Sequence, residues 1–234
     1  MYFDWTYIVL LTPALIFSMW ASSRVNSSFN KYSRQYSRRG ISAAQAARAV
    51  LNANGLSNVG IEHISGNLTD HYDPTAKIIR LSDGVYNSTS SAAIGIACHE
   101  VGHAIQHAQG YGPLKLRSAI VPITNIGAKL STPLIVLGLI LSTLSYSFIN
   151  LSYLGIICFA MCAFFQLVTL PVEFNASRRA MESIENQGLL YEDEMEGTRK
   201  VLGAAALTYV AALAVSMMQL LRFVLLVAGN RRDD

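Results

Sequence analysis

Four stretches of the chain run long without charge, and a polar segment with shorter patterns separates the first two. A membrane-spanning helix needs about 20 mostly apolar residues, because each residue rises 1.5 Å and the hydrocarbon is about 30 Å thick. Residues 5–21, 130–149, 151–171 and 201–221 meet or nearly meet that requirement. Trp5 and Trp20 flank the first stretch, where interfacial aromatics are favoured. A cleaved signal peptide is the competing reading, but no basic leader precedes the stretch and no clean small-residue cleavage site follows it. The second and third are parted only around Asn150 and read as a hairpin. Arg222 closes the fourth, its stem long enough to reach an interface. Four crossings put both termini on one face and the segments 22–129 and 172–200 on the other.

Within 22–129 the patterns shorten. Residues 22–40, rich in Ser, Arg, Tyr and Asn, show no periodicity and read as an extended lead-in. Ser42 is an N-cap for a helix over about 43–52, with Ala43, Ala47, Val50 and Leu51 on its apolar face and Asn54-Gly55 as its stop. Val59, Ile61 and Ile64 alternate with polar residues as a short strand; Leu68–Asp73 ends at Pro74, and Ala76–Leu81 has the β-branched content of another strand. From Ser90 to Gln109 the spacing of Ala93, Ile96, Ala97, Val101, Ala104, Ile105 and Ala108 predicts a helix that stops at Gly110. The small sheet is amphipathic enough to lean on it.

Composition sharpens this picture. The 234 residues are 52% hydrophobic and 14% charged, against about 25% charged in a soluble domain. The deficit excludes an ordinary soluble enzyme, and a net charge of +3 gives no argument for nucleic acid as a partner. Charge placement says more. Arg24, Lys31, Arg34, Arg38 and Arg39 follow the first span and Lys115, Arg117 and Lys129 precede the second, whereas the N-terminal tail holds only Asp4. The positive-inside rule therefore puts segment 22–129 in the cytoplasm, with Arg231 and Arg232 a weaker signal against; Asp233 and Asp234 do not count. Glycosylation-like triplets at Asn26, Asn67, Asn87 and Asn175 are then chance matches. Cys98, Cys158 and Cys162 form no paired framework and read as packing residues, as do Met217 and Met218. The acidic run Glu192–Glu196 reads as a solvated loop.

The chemistry lies on the 90–109 helix as His99-Glu100-Val101-Gly102-His103. Histidines at i and i+4 share one face and can hold one Zn²⁺, with the intervening Glu100 placed to take a proton from an attacking water. The implied reaction is hydrolysis of a peptide bond. The bland alternative is a solvated helix face, but the surrounding apolar residues would bury these groups, and buried polar groups need partners. Gly102 lowers helix propensity by about 1 kcal/mol and makes sense where another element packs closely. Catalytic zinc takes three protein ligands and an open position. His107 continues the series, but His99 and His107 lie about 12 Å apart along a straight helix, too far to share one ion, and it reads as a surface or supporting residue. Glu173, just past the third span and on the same face of the membrane by the count above, is the better candidate. Arg178 and Arg179 beside it bind a substrate carboxylate or follow the charge bias at the membrane. His71 and Tyr72, in a strand that could border the cleft, are candidates for substrate or transition-state contact, and that strand could pair with an extended substrate.

The combination LTDHYDP (68–74), IIRLSDGVY (78–86), ACHEVGHAIQH (97–107) and LPVEFNASRRA (170–180) resembles the YugP-like family of membrane neutral zinc metallopeptidases, from about Gly40 to the fourth span. More distantly the chain is similar to HtpX-like and CAAX-prenyl membrane proteases, in which an edge strand precedes the metal helix and a later Glu completes the site. The resemblance implies His99 and His103 as zinc ligands, Glu100 as general base and Glu173 as third ligand. The distant group carries an acidic residue four positions after its ligand Glu; here that position is Ser177, which leaves the partner of a zinc histidine open. The expected molecule is an α+β membrane protein. Residues 1–21 are an anchor, 22–129 a zincin-like catalytic domain, 130–171 a hairpin, 172–200 the segment with the third ligand, and 201–234 the last span and tail. It sits in a bacterial-type cell membrane with the lipid bilayer as partner and its active site on the cytoplasmic face. The expected activity is a zinc endopeptidase acting on a peptide or membrane-protein substrate; a non-proteolytic zinc-binding scaffold or chaperone-like factor is the alternative, and Glu100 argues against it. A transporter or channel is disfavoured because the ionisable residues cluster outside the spans.

Overall fold

A computed structural model describes residues 5–229; Asp4, Arg231, Arg232, Asp233 and Asp234, used in the charge argument, lie outside the described residues. After a π-helical segment at Tyr7–Leu11, the elements run α1 (Thr12–Tyr32), α2 (Ala43–Ala53), β1 (Gly60–His63), β2 (His71–Asp73), β3 (Ile78–Leu81), α3 (Ser91–Ala108), α4 (Gly112–Ser142), a 3₁₀ turn at Tyr146–Phe148, α5 (Ile149–Asn186) and α6 (Glu192–Gly229). The protein is mostly helical with one small sheet. Four helical stretches, Tyr7–Tyr32, Gly112–Ser142, Tyr146–Asn186 and Glu192–Gly229, are long and apolar enough to cross a membrane.

These helices outrun the apolar stretches that announce them. The segment 22–40, expected to be extended, is helical as far as Tyr32. A helix already nucleated in an apolar stretch gains a hydrogen bond with each added residue, so it propagates through Ser and Asn that would not start one. The second helix begins at Gly112 and ends at Ser142, not over 130–149. Lys115, Arg117 and Lys129 interrupt the apolar run without interrupting the backbone. The hairpin breaks at Thr143–Ser145 rather than Asn150, after Ser142 Oγ and Thr143 Oγ1 turn back to the carbonyls of Leu139 and Ile140, 2.7 Å each. The acidic run at Glu192 is not a loop. It forms the first turn of α6, where carboxylates meet the positive end of the helix dipole. Glu194 there is buried, accepting from the backbone N–H of Tyr191 at 2.9 Å and of Arg38 at 2.8 Å.

The chain forms two compact units. One comprises the described residues of Met1–Trp20, Leu116–Leu170 and Thr208–Asp234. Its helices approach closely at small residues: Ser152 Oγ donates to the Ile135 carbonyl at 2.9 Å, and a Cβ on Gly155 would lie 2.7 Å from the Ser131 carbonyl oxygen. Ile135, Ile149, Phe223 and Val227 form its buried cluster.

The other unit, Ala21–Lys115 with Pro171–Leu207, holds His99, Glu100, His103 and Glu173. Ser42 caps α2 in a reciprocal box with Gln45: the Ser42 Oγ accepts from Gln45 N–H, and the Gln45 carboxamide oxygen accepts from Ser42 N–H. The sheet order is β1-β3-β2, with β1 parallel and β2 antiparallel to β3. The last strand starts at Ile78, not Ala76, because Lys77 takes a left-handed φ of 55° to turn the chain out of β2. Ser90 caps α3, its side chain accepting from Ala93 N–H. The core joins Val50 and Leu51 of α2, Ile79 and Leu81 of β3, Ile94, Ala97 and Val101 of α3, and Ala180 and Ile184 of α5, all almost fully buried.

Candidate metal centre

The site forms where α3 crosses α5. Gly102 permits the crossing: a Cβ there would lie 2.5 Å from the Ala176 carbonyl oxygen, closer than packed atoms approach. With the backbones this near, side chains one turn either side of the contact converge. His99 and His103 from α3 meet Glu173 from α5. Glu173 Oε2 is 3.3 Å from His99 Nε2 and 3.5 Å from His103 Nε2, and Glu173 is only 3% exposed. The two imidazoles stand edge-on with centroids 4.8 Å apart.

Each imidazole is held from behind. His99 Nδ1 lies 3.1 Å from Ser177 Oγ, and His103 Nδ1 lies 3.0 Å from Gln106 Oε1. The Nε2 atoms are thereby left facing Glu173. Burial on its own would push the His103 imidazole down, but the Glu173 carboxylate bonded to it and the nearby Glu100 charge outweigh that and hold its pKa above the ordinary histidine value. Glu100 is buried on α3, and no described group donates a hydrogen bond to its carboxylate. Cys98, next to His99, is fully buried with its thiol pushed up to about 12, so it is no thiolate donor.

Three donor atoms from His99, His103 and Glu173 lie within 4.8 Å of one another. A tetrahedral zinc with bonds of about 2.0–2.1 Å separates its ligand atoms by about 3.3–3.4 Å, close to both Glu173–imidazole distances. Two neutral nitrogens and one carboxylate oxygen are also a donor set that zinc accepts in hydrolases. The residues present therefore fit the ion.

The structure does not bring every candidate into this group. His71 is exposed on β2, with Nδ1 2.9 Å from the Thr69 carbonyl and Nε2 3.4 Å from Arg80 Nη1. Tyr72, its neighbour on the opposite face of the strand, turns toward α3, and its hydroxyl lies 2.9 Å from His107 Nδ1. His107 is thus a supporting residue that ties the strand to the helix. Burial, then the neighbouring Asp73 charge, raise the Tyr72 hydroxyl above its ordinary pKa. Arg178 is exposed and pairs loosely with Glu182 at 3.9 Å, whereas Arg179 donates from Nε to Asn175 Oδ1 at 2.7 Å. Sequence reasoning overlooked Gln106 and passed over Asn175 as a chance triplet. The one available signal was a glutamine on an otherwise apolar helix, three residues beyond His103, where burial demands partners.

Comparison with known proteins agrees with this chemistry. The family described as "Putative neutral zinc metallopeptidase" matches residues 7–228. A relative from Bacillus subtilis (strain 168), named "Putative membrane protease YugP", is 47% identical over 228 residues, covering 97% of this chain and 99% of its own. No solved structure matches the chain significantly.

Proposed function

Because the chain belongs to the neutral zinc metallopeptidase family, we propose that it is a zinc-dependent endopeptidase of zincin type, embedded in the membrane by its four long helices, with His99, His103 and Glu173 as metal ligands and Glu100 as general base. The observation that carries this reading is the meeting of three donors from two helices, Glu173 buried and the two histidines half-buried, beside a carboxylate that no described group occupies.

Zinc held by these donors would act as a Lewis acid, bringing the pKa of a coordinated water toward neutrality and polarising the scissile carbonyl. The chain's own residues do the rest. Glu100, to which no described group donates, accepts the proton of the attacking water and passes it to the leaving amine. Strand β2 is an edge of the sheet and packs beside α3, so its outer backbone groups can pair with an extended peptide and lay it along the metal helix. Tyr72 at that edge is placed better than His71 to donate to the developing oxyanion, because its hydroxyl points to α3 while His71 points away. The substrate is a peptide or a membrane protein, and by the charge bias around the first two spans the site faces the cytoplasm.

Metal analysis and a cleavage assay on the purified, detergent-solubilised protein test this. The expected content is about one zinc per chain, lost in His99→Ala and in Glu173→Ala. Glu100→Gln should keep the zinc and abolish turnover; if it cleaves as fast as wild type, the base is misassigned. Zinc retained with no cleavage in the unsubstituted protein would favour a zinc-binding scaffold.

A further inference from the structure

The two histidines are not held alike. Ser177 faces His99 with a hydroxyl, which donates or accepts by rotation and so dictates nothing about the His99 ring. Gln106 faces His103 with a group whose orientation is fixed by others. It is fully buried, and its Nε2 lies 2.8 Å from the Val172 carbonyl oxygen and 2.9 Å from Asn175 Oδ1. A backbone carbonyl only accepts, so the Gln106 nitrogen must be the atom turned to it. Asn175 is fixed in turn: its Oδ1 takes the 2.7 Å bond from Arg179 Nε, and a guanidinium only donates. With both Gln106 donors spent on α5, only Oε1 remains for His103, and an amide oxygen only accepts.

We propose that Gln106 is a positioning residue that dictates the His103 tautomer: in the neutral ring the proton sits on Nδ1, toward Oε1, and the lone pair sits on Nε2, toward the metal position. The inference rests on the metal-site reading above. Donation converges on Asn175 Oδ1 from Arg179 Nε and Gln106 Nε2, and the Val172 carbonyl takes the other Gln106 N–H; the guanidinium and the backbone carbonyl cannot reverse, and they fix the amide between them. A flipped amide at Gln106 would set its NH₂ against Nδ1 and its oxygen against the Val172 carbonyl, losing two buried hydrogen bonds at once. Once neutral, His103 therefore presents Nε2 to the metal position without a change of tautomer, whereas the Ser177 hydroxyl imposes no such choice on His99.

Two measurements decide it. In the metal-free wild-type protein at mildly alkaline pH, nitrogen-15 NMR of labelled histidines should report His103 as the Nδ1–H tautomer; Nε2–H, or an even mixture, overturns the proposal whatever the protein does with zinc. In chelator competition, Gln106→Leu should weaken zinc binding about 10–100-fold, and Gln106→Glu, which restores an acceptor to Nδ1–H, should recover most of that loss. Equal weakening by Leu and Glu would mean that Gln106 merely packs, and Leu binding as tightly as wild type would remove its role. A wild-type protein that takes up no zinc would fail the metal-site reading, while the tautomer result still judges Gln106 on its own.

Discussion

At the scale of single residues, the site balances one carboxylate among two imidazoles, and protons compete with metal for it. The His103 pKa is held above the ordinary histidine value because the charges of Glu173 and Glu100 outweigh burial. A raised folded-state pKa contributes stability that is fully present below the unfolded histidine value and is lost as pH rises through the folded one. The metal-free protein should therefore melt at lower temperature as pH climbs across that window, and His103→Gln should flatten the dependence in a thermal-shift series. Zinc must displace the same proton, so zinc affinity should fall about tenfold per pH unit below the raised pKa. Ser177→Ala should weaken zinc less than Gln106→Leu does, since the hydroxyl orients its ring without fixing its polarity.

The elements stand or fall at one crossing. Gly102→Ala drives a methyl into the Ala176 carbonyl, and the resulting shift of α3 against α5 should cost about 1–3 kcal/mol and separate the donors, so zinc uptake should fall with thermal stability. Gly203→Ala, on α6 with open space around it, is the control and should be neutral or slightly stabilising. The spacing of His99 and His103 and the run of small apolar residues around them were readable in the sequence, because i, i+4 geometry is a property of one helix. The cap at Ser42 was readable for the same reason. Gln106 and Asn175 were not, because an amide acquires its role only when a second helix arrives opposite it; Ser177 was marked only by resemblance, as the position four after Glu173, and its contact with His99 needed the second helix in place. The helix ends were missed where the apolar run was taken as the whole helix: the helix to Tyr32 and the helix from Gly112 continue through polar and charged residues on a backbone that keeps its hydrogen bonds.

For the whole molecule, hydropathy was enough to find four long apolar helices, since burying apolar surface in lipid needs only length and composition. Hydropathy leaves open the face on which the unit with the candidate metal centre emerges, and the charge bias supplies an answer to test. Asn87 is exposed in the loop ahead of α3. An Asn87→Cys variant should react with a membrane-impermeant thiol reagent only after cells are permeabilised; labelling of intact cells would put the unit with the candidate metal centre outside.

The unit that carries the candidate metal centre is built from two pieces of chain, Ala21–Lys115 and Pro171–Leu207, with the membrane hairpin coded between them. During synthesis His99, Glu100 and His103 leave the ribosome first, and Glu173 follows only after the hairpin has been made. On the proposed reading, a chain truncated or stalled within the hairpin lacks its third donor and is inert. On that reading the order of synthesis delays assembly of the donor set until the hairpin between its two halves has been made.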